Sequence, residues 1–358
     1  MRPKTQIATV NRRTFVKGLA ALGGAVLTPA CAGHRSGVAA GAGTAARGAS
    51  LARWRDQIGL QLFTVRDRFM TDYPGTLRAV AAAGYKEVQT TLSYGGYSLD
   101  QIKQFLDAAG LVAPATHVSP PNGPDFERTL DAYARIGHRY TTVNTGPARR
   151  GGAPNGGAPN GGAPNGRVPN GAAPNGAAPN GGQRPPAPRQ TLDAVRRTAE
   201  QLNEAGRVTR EHGLKVIVHN HTAEFEPLAD SSQRPYDVLI AETDPSLVAL
   251  ELDIGWATVA GENALNLFRR APGRFEVWHV KDVAGLASLA GKSEAERQRA
   301  AKIVPLGEGE IDYRAIFAQA GLAGMKHFFV EQDSAPDSGD SLAAAAASYR
   351  NLRDKVLS

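Results

Sequence analysis

The sequence contains little cysteine and few aromatic residues, and each shortage excludes a class of protein. Cys31 is the single cysteine in 358 residues, so no disulfide bond can form within the chain. Phe, Trp and Tyr together make up 6% of the residues, and they do not alternate with Lys and Arg along any basic stripe. The formal net charge is +7, but without such a stripe we expect no nucleic-acid partner.

The sequence also lacks a long apolar run, although its N-terminus carries a short one. Arg12 and Arg13 are followed by Phe15 and Lys17, and then by a Gly- and Ala-rich apolar stretch over residues 18–27. This stretch is shorter than the roughly 20 apolar residues that span a bilayer. Residues 1–31 therefore resemble a twin-arginine export signal, and we expect a periplasmic or outer-surface protein.

The single cysteine lies where this export signal would end. Cys31 follows Thr-Pro-Ala, in a position that resembles a lipoprotein cleavage site, where the cysteine would carry a lipid anchor. An ordinary signal cleavage nearby is the alternative, and the sequence leaves both open. Residues 32–55 begin with a Gly- and Ala-rich stretch and are predicted to be a flexible tether.

A second segment of low complexity interrupts the chain at residues 147–188. It repeats the pentapeptide Gly-Gly-Ala-Pro-Asn with some drift. Proline removes backbone donors and glycine raises the entropic cost of ordering, so the segment is unsuited to a packed core. We predict a disordered loop inserted in a folded domain; a linker between two domains is the alternative.

The rest of the chain alternates between short apolar segments and helix-like ones. Several helix-like segments end at glycine, namely Gly84, Gly110 and Gly137, as helices with a left-handed C-cap do. Short apolar strands between helices indicate a parallel sheet covered by those helices. The predicted strands are residues 58–64, 87–91, 112–118, 140–144, 214–219, 248–253, 277–281 and 327–332.

Eight strand–helix units are the number that closes a TIM barrel, and we predict one (β/α)8 barrel over residues 56–358. Both halves around residues 147–188 are needed to reach that count. The repeat therefore belongs in the loop after the fourth strand, near the active-site rim. A doubly wound open sheet is the alternative, but no Gly-x-Gly-x-x-Gly motif opens a helix here.

Polar side chains end the last four predicted strands, and a TIM barrel directs strand ends into one shared mouth. Because side chains alternate along a strand, residues two apart share a face. These pairs are His219 with His221, Glu251 with Asp253, and His279 with Lys281, while Glu331 ends the eighth strand. A mixed set of carboxylates and imidazoles suits a divalent cation such as Mn, Co, Zn or Fe. Carboxylates beside such a cation can move protons between neighbouring carbons of a sugar.

Several motifs in this part of the chain resemble one family. Residues 219–225 read His-Asn-His-Thr-Ala-Glu-Phe and resemble the His-Asn-His-x-x-Glu-Phe segment of one branch of the xylose isomerase-like sugar isomerases and epimerases. The motifs that match the family's later strands and loop are residues 250–256, 279–282, 305–312 and 330–333. Their order and spacing extend the resemblance over residues 56–358, outside the repeat.

The resemblance implies a metal site with one ligand on each of the last four strands. Asp253, His279 and Glu331 match the family's ligands on strands six, seven and eight. His219 takes the place of the family's glutamate on strand five, and His221 is the alternative ligand there. Gln89 likewise stands on strand two where many relatives have a glutamate.

The same resemblance implies which residues carry the chemistry. In the family's epimerases two metal-bound glutamates act as paired bases, so Glu331 and His219 are the candidate catalytic pair. With a histidine in one of these two places, β-elimination from a keto-sugar becomes an alternative to epimerisation. Lys281 is a candidate for stabilising an enediolate oxygen, and a simple ion pair with Asp282 is the alternative.

Five further residues are candidates for substrate binding, each with a plainer structural alternative. His117 ends the third strand and could instead make a core hydrogen bond. Trp256 could stack on a sugar ring or only pack beneath a loop. The remaining candidates are His221, Glu226 before a proline, and Glu308 in a Gly-flanked loop.

Together these features predict an exported, divalent-metal-dependent isomerase or epimerase acting on a sugar or cyclitol. A lyase acting on a keto-sugar or keto-glycoside is the first alternative, and an exported sugar-binding protein without turnover is the second. An endonuclease IV-like repair enzyme would share the fold, but it would need further metal ligands and a basic groove. The expected partner is a small-molecule sugar, and a homo-oligomer is left open.

Overall fold

Eight parallel strands close into a barrel, with helices between them along the chain. The structure, a computed structural model, describes residues 51–145 and 189–358. The predicted TIM barrel is therefore confirmed. The predicted signal (1–31), most of the tether (32–55) and the repeat (147–188) lie outside the described residues. The gap before residue 189 falls between the fourth barrel strand and the helix that follows it, where the insertion was placed.

The barrel strands lie close to their predicted positions. They are β1 (Gly59–Gln61), β2 (Glu87–Thr90), β3 (Val112–Thr116), β4 (Tyr140–Thr141), β5 (Lys215–His219), β6 (Val248–Asp253), β7 (Val277–Val280) and β10 (His327–Val330). Two further strands, β8 (Asp282–Ala284) and β9 (Lys302–Val304), form an antiparallel pair after β7.

The helices connect these strands on the outside of the barrel. They are α1 (Arg66–Phe69), α2 (Tyr73–Ala82), α3 (Leu99–Ala109), α4 (Phe126–Ile136), α5 (Leu192–Glu211), α6 (Pro235–Glu242), α7 (Ile254–Val259), α8 (Ala264–Arg270), α9 (Glu294–Ala300), α10 (Tyr313–Phe317), α11 (Ala320–Ala323) and α12 (Ser341–Asn351). Single 3-10 turns cover Arg55–Gln57, Leu62–Val65, Ala223–Phe225, Leu286–Leu289 and Ala335–Ser338, and a π-helical turn covers Leu352–Val356. None of these helices is long and apolar enough to cross a membrane.

Strand pairing joins the first and last barrel strands. The order around the barrel is β1-β10-β7-β6-β5-β4-β3-β2, and Gly59 pairs with Phe329 at the seam. A Cβ at Gly59 would lie 2.6 Å from the Phe329 ring, so glycine is needed where these two strands meet. Six successive barrel strands each contribute one residue to a buried inner cluster: Ala115, Tyr140, Ile217, Ala249, Val277 and Phe329.

Side-chain alternation in β6 separates the core from the site. Leu250 and Leu252 belong to the large apolar cluster that includes residues of the surrounding helices. Ala249 belongs to the inner cluster, and the residues that share its face of the strand are Glu251 and Asp253. The period of two thus puts two carboxylates inside the barrel while the apolar residues between them pack outward.

Two predicted strands are three or more residues shorter in the structure than in the sequence analysis, and the others, except β6, are shorter by one or two residues. The first ends at Gln61 because Leu62–Val65 forms a 3-10 turn, and the Gln61 side chain accepts a hydrogen bond from the Phe63 amide at its start. The fourth ends at Thr141, although residues up to 144 were predicted. Strand-forming residues continue past the point where ladder pairing stops, Leu62 and Phe63 in the first segment and Thr142 and Val143 in the fourth, so composition alone does not locate the strand end.

Two of the predicted helix ends at glycine are present in the structure, at the C-termini of α3 and α4. Gly110 and Gly137 follow these helices with φ of 68° and 112°, and their amides donate to carbonyls of the preceding turn. A residue with a Cβ is disfavoured in that region, so glycine ends each helix at low cost. At the other end of α3, Ser98 and Gln101 form a capping box.

The segment between β7 and α10 was not predicted to have regular structure. It contains the β8–β9 hairpin and α9, whose N-cap Ser293 forms a capping box with Glu296. Val283 and Leu289 of this segment pack with Trp256 in a small apolar cluster. The segment therefore covers the end of α7, beside the carboxyl ends of β6 and β7.

One buried histidine outside the mouth gives the fold a pH dependence. His138 is fully buried, its Nδ1 lies 2.5 Å from the Ala113 carbonyl oxygen, and its Nε2 lies 3.3 Å from the Tyr94 hydroxyl. Burial lowers the pKa of His138 from 6.5 to about 4, against the opposing effect of the Ala113 carbonyl. In the unfolded chain this imidazole takes up a proton at a higher pH than in the fold.

We therefore expect the free energy of unfolding to fall as the pH falls through the window between these two pKa values. The expected loss from this residue is about 3 kcal/mol on going from about pH 7 to about pH 4. Urea unfolding of the wild type and His138→Gln at several pH values measures it, because the variant should have a shallower pH dependence. His212→Gln, at a partly exposed histidine on the surface, is the control. Parallel curves for the wild type and His138→Gln would contradict the assignment.

Candidate metal centre at the barrel mouth

The polar ends of the last four barrel strands meet in one cluster. His219 is in register with Glu251, and Asp253 is in register with His279. Glu331 follows β10 directly, next to β7. All five side chains are buried or nearly so. Two overlapping groups in this cluster have ligand atoms close enough to hold one ion: Asp253, His279 and Glu331, and His117, His219, Glu251 and His279.

Donor atoms of Asp253, His279 and Glu331 face one another across the cluster. His279 Nδ1 lies 2.7 Å from Glu331 Oε2 and 3.7 Å from Asp253 Oδ2. His219 approaches the same point, with Nε2 4.0 Å from Asp253 Oδ2. Asp253 Oδ2, His279 Nδ1 and Glu331 Oε2 are buried and have no partner with hydrogen-bond geometry among the described residues. Such a set of nitrogen and carboxylate donors fits a divalent first-row cation.

The Asp253 carboxylate is held in place by its surroundings. Its Oδ1 accepts a hydrogen bond of 2.8 Å from the Trp256 amide and so caps α7. The buried side chain of Asn220 binds both backbone groups of Asp253, at 3.0 Å to the amide and 3.2 Å to the carbonyl. One carboxylate oxygen is thus used structurally, and Oδ2 alone is directed at the cluster. Asn220 was part of the predicted motif, but its role in holding the Asp253 backbone was not predicted.

Lys281 lies inside the cluster rather than beside Asp282. Its Nζ is 2.9 Å from Asp253 Oδ2, 3.2 Å from Glu331 Oε2 and 2.6 Å from Asp333 Oδ2, and 5.0 Å from the centre of the Trp256 ring. Burial opposes the charge, but the three carboxylates outweigh it and raise the pKa of Lys281 above its ordinary value. The side chain therefore remains an ammonium group at the mouth.

Asp282 instead anchors the loop that contains Glu308. Its carboxylate accepts hydrogen bonds from the amides of Gly307, Gly309 and Ile311 at 2.9, 3.0 and 3.2 Å. A Cβ at Gly309 would lie 2.2 Å from Asp282 Oδ1, so the loop needs glycine at that place. The ion pair between Lys281 and Asp282 considered from the sequence is wrong, and Glu308 is exposed on the anchored loop.

Glu251 is a site residue that the sequence analysis left without a role. It is fully buried, and it accepts a hydrogen bond of 2.5 Å from Gln89 Nε2 and a shorter contact from His117 Nε2. Burial alone would raise the pKa of Glu251, but His117 and His279 lower it below its ordinary value. The sequence feature that could have identified Glu251 is its position two residues before Asp253, which puts both carboxylates on one face of β6.

Three imidazole rings surround Glu251. The ring centres of His117 and His219 are 5.2 Å apart, and those of His219 and His279 are 4.5 Å apart. Burial lowers the pKa of His219, and the neighbouring histidines lower it further. Burial would also lower the pKa of His279, but Glu251 and Glu331 outweigh it and raise that pKa. The carboxylates of Glu251 and Glu331 thus favour a positive charge at His279, which a bound proton or a bound metal cation can supply.

His221 and Glu226 lie at the rim, outside both groups of candidate ligands. The His221 ring is 4.8 Å from the His219 ring and 6.2 Å from Trp256. Glu226 binds Arg297 of α9 at 3.0 Å, and Arg189 lies 3.8 Å from it. Nearby, Thr222 donates a short hydrogen bond to Glu294. These contacts join the β5 loop to the segment after β7.

Trp256 lies between the metal cluster and this rim. Its side chain is buried with the hairpin cluster, and its Nε1 has no hydrogen-bond partner within residues 51–145 and 189–358. Gly255 makes room for this arrangement, since a Cβ there would lie 2.7 Å from the Lys281 carbonyl oxygen. The Trp256 indole is therefore held in position by packing contacts within the protein, and its N–H group makes no hydrogen bond with the described residues.

Comparison with known proteins agrees with this geometry. The family described as xylose isomerase-like TIM barrel matches residues 77–354, more than three quarters of the chain. The chain belongs to this family. Its curated relatives include the inosose dehydratase of Geobacillus thermodenitrificans, 29% identical over 143 residues, which are 37% of this chain and 46% of that protein. The chain thus spans about half the length of the curated relatives it matches.

Solved structures share the fold at low sequence identity. A sugar phosphate isomerase/epimerase from Parabacteroides distasonis has a TM-score of 0.59 and 20% identity, covering 84% of this chain and 99% of that one. A xylose isomerase-like TIM barrel protein from Mycobacterium smegmatis, in complex with magnesium, has a TM-score of 0.53 and 15% identity, covering 84% and 96%. At these identities the likeness shows the architecture alone.

Proposed function

We propose that this chain is a divalent-metal-dependent lyase that eliminates water, or another β-leaving group, from a polyhydroxylated ketone such as a keto-sugar or a cyclitol ketone. The observation that carries the proposal is the composition of the mouth. Glu331 and the ammonium of Lys281 lie on one side of His279, and an imidazole, His219, lies where epimerases of this family have a second glutamate. The names of the inosose dehydratase relatives support the same reaction class.

Asp253, His279 and Glu331, with His219, would hold the cation. Asp253 Oδ2, His279 Nδ1 and Glu331 Oε2 are buried and make no hydrogen bond of good geometry in the part of the chain that the structure describes, although the Lys281 ammonium lies within ion-pair distance of the two carboxylate oxygens. The donor set is of the right type. A divalent cation bound there supplies Lewis acidity toward a carbonyl or hydroxyl oxygen of the substrate. The identity of the metal is proposed only as Mn, Co, Zn or Fe.

The chain's own residues would move the protons. The Glu331 carboxylate accepts the proton of the carbon next to the carbonyl, and the electron pair of that C–H bond forms the new C=C bond. The Lys281 ammonium, 3.2 Å from Glu331 Oε2, stabilises the charge that develops on the carbonyl oxygen. The bond from the β-carbon to its hydroxyl breaks as Glu331 returns the proton it accepted to the leaving oxygen. The products are an unsaturated ketone and water, and Glu331 is again a carboxylate at the end of the turnover.

Reaction products in deuterated water test this reaction. The purified full chain, loaded with Mn²⁺ or Co²⁺, is incubated with cyclitol ketones and 3-keto-sugars and followed by NMR and mass spectrometry. A lyase gives an unsaturated ketone with the mass of one water lost. Recovery of every substrate without mass loss or deuterium uptake would contradict the proposal and favour a binding protein.

Epimerisation is the second candidate, because the mouth holds two proton-carrying groups on separate strands. His219 ends β5 and Glu331 follows β10, with β6 and β7 between them in the barrel order. Such groups could take a proton from one face of a carbon and return one to the other. In the same NMR experiment an epimerase gives a diastereomer of unchanged composition carrying deuterium at a single carbon.

We also propose export by the twin-arginine route, because Arg12 and Arg13 precede a short apolar stretch in the N-terminal segment. Replacing both with lysine keeps the charge and removes the motif, so the protein should accumulate in the cytoplasm. Cell fractionation and immunoblotting measure this, with Lys4→Arg as the control. Normal levels of the double variant outside the cytoplasm would contradict the proposed route.

A further inference from the structure

Glu251 touches all three imidazoles of the mouth from the side away from the other carboxylates. His117 Nε2 makes the shortest contact, with Glu251 Oε2. His279 Nε2 lies 3.2 Å from Oε1, and His219 Nδ1 lies 3.6 Å from Oε2. One fully buried carboxylate therefore makes a hydrogen bond with His117 and lies beside the other two rings.

The two candidate ligand rings turn their other nitrogens to the opposite side. His279 Nδ1 faces Glu331 Oε2 at 2.7 Å, and His219 Nε2 approaches Asp253 Oδ2 at 4.0 Å. In each ring, then, one nitrogen faces Glu251 and the other faces the place where the donor atoms of Asp253 and Glu331 converge. A neutral imidazole carries its proton on one nitrogen and can bind a metal only through the other.

A chain of amide hydrogen bonds decides which nitrogen of His279 carries the proton. The Phe63 amide donates to Gln61 Oε1, so Gln61 Nε2 is the donor to Gln89 Oε1 at 2.5 Å. Gln89 Nε2 in turn donates to Glu251 Oε1 at 2.5 Å. Gln89 Oε1 is thus an acceptor, and His279 Nε2, 2.6 Å away, must donate to it. In the neutral ring, which is the form that binds a metal, the lone pair is therefore on His279 Nδ1.

We infer that Glu251 is a positioning residue: it holds the amide of Gln89, which accepts the Nε2 proton of His279, and it lies beside His219 Nδ1, and it thereby directs the other nitrogens of both rings at the metal. This rests on the proposed metal site. Metal-bound histidines commonly have their remote nitrogen held by a carboxylate or carbonyl, which fixes the ring and its tautomer. Here a single carboxylate lies beside one candidate ligand ring, His219, and reaches the other, His279, through Gln89. The competing arrangement is that Glu251 itself binds the cation together with His117, His219 and His279.

Metal affinity of the full chain distinguishes the two arrangements. Co²⁺ binding is measured by equilibrium dialysis and visible absorption for the wild type and Glu251→Gln, which keeps the side-chain size. We expect affinity to fall by about 10- to 100-fold, with one Co²⁺ per chain still bound at saturation. Gln89→Leu removes the amide that connects Glu251 to His279 and leaves Glu251 itself unchanged. This variant should also bind Co²⁺ more weakly than the wild type.

Glu87→Gln is the matched control. Glu87 is a buried carboxylate that pairs with His327 at 2.8 Å, at the opposite ends of β2 and β10 from the mouth. This variant removes a similar carboxylate–imidazole contact and should leave Co²⁺ affinity within about twofold of the wild type. Circular dichroism melting curves of all variants show whether any change in affinity is only a loss of fold.

Each other outcome overturns the inference. Unchanged affinity in Glu251→Gln would show that the carboxylate does not position the ligands. Complete loss of Co²⁺ in both Glu251→Gln and His117→Ala, with folded protein, would show that these residues are ligands themselves. A wild type that binds no divalent cation would overturn the proposed function and this inference with it.

Discussion

Replacing His279 or Glu331 with alanine is expected to remove the bound cation and to lower kcat by about 1000-fold or more. Each substitution deletes one of the few protein donors from a site that must also leave room for substrate. Both residues lie at the mouth and not in the inner apolar cluster, so the barrel should stay folded. Metal analysis, kinetics and melting curves of the purified variants measure the three effects.

His327→Ala is the control for these variants. His327 also pairs with a carboxylate, Glu87, but it begins β10 while Glu331 follows the end of that strand. We expect this variant to retain one divalent ion per chain. If His279→Ala and Glu331→Ala also retained a tightly bound ion, the metal centre could not lie on these strands.

Lys281→Met is expected to have the largest effect on stability. The ammonium is buried against Asp253, Glu331 and Asp333, and its removal leaves two buried carboxylates and the partly buried Asp333 without a cation. Breaking a buried ion pair by removing one partner costs about 3 to 5 kcal/mol of unfolding free energy. In the metal-free protein we expect a loss of that size, and turnover should fall as well.

Added divalent cation should restore part of this stability, because it binds the folded state and supplies the missing positive charge. Urea unfolding with EDTA and with Mn²⁺ measures both effects. Lys215→Met is the control, since Lys215 forms a less buried ion pair with Glu276 at the start of β5. Equal stability of the metal-free wild type and Lys281→Met would contradict the assigned contacts.

The fold could be predicted from the sequence because the barrel is specified locally. Each strand is a short apolar run and several helices end at glycine, so counting units gave the architecture. The strand ends at Gln61 and Thr141 were not predictable, because they depend on hydrogen-bond pairing and not on composition. The β8–β9 hairpin was missed because its strands have three residues each and pair only with one another.

The candidate site was predictable as a set of residues but not as a set of contacts. The period of two placed Glu251 and Asp253 on one face, yet nothing in that pattern told which carboxylate would meet Lys281. The pairing of Lys281 with Asp253, and of Asp282 with the glycine-rich loop, follows from the inward and outward directions of successive residues after β7. Such contacts join residues of different strands, so they depend on the closed barrel.

A crystal structure of the Mn²⁺-soaked protein, with diffraction measured above and below the manganese absorption edge, tests the central claim most directly. We predict one strong anomalous peak between His279 Nδ1, Asp253 Oδ2 and Glu331 Oε2, with Glu251 outside the first coordination sphere. An absence of any peak at the mouth, or a peak coordinated by Glu251 and His117 instead, would contradict the account.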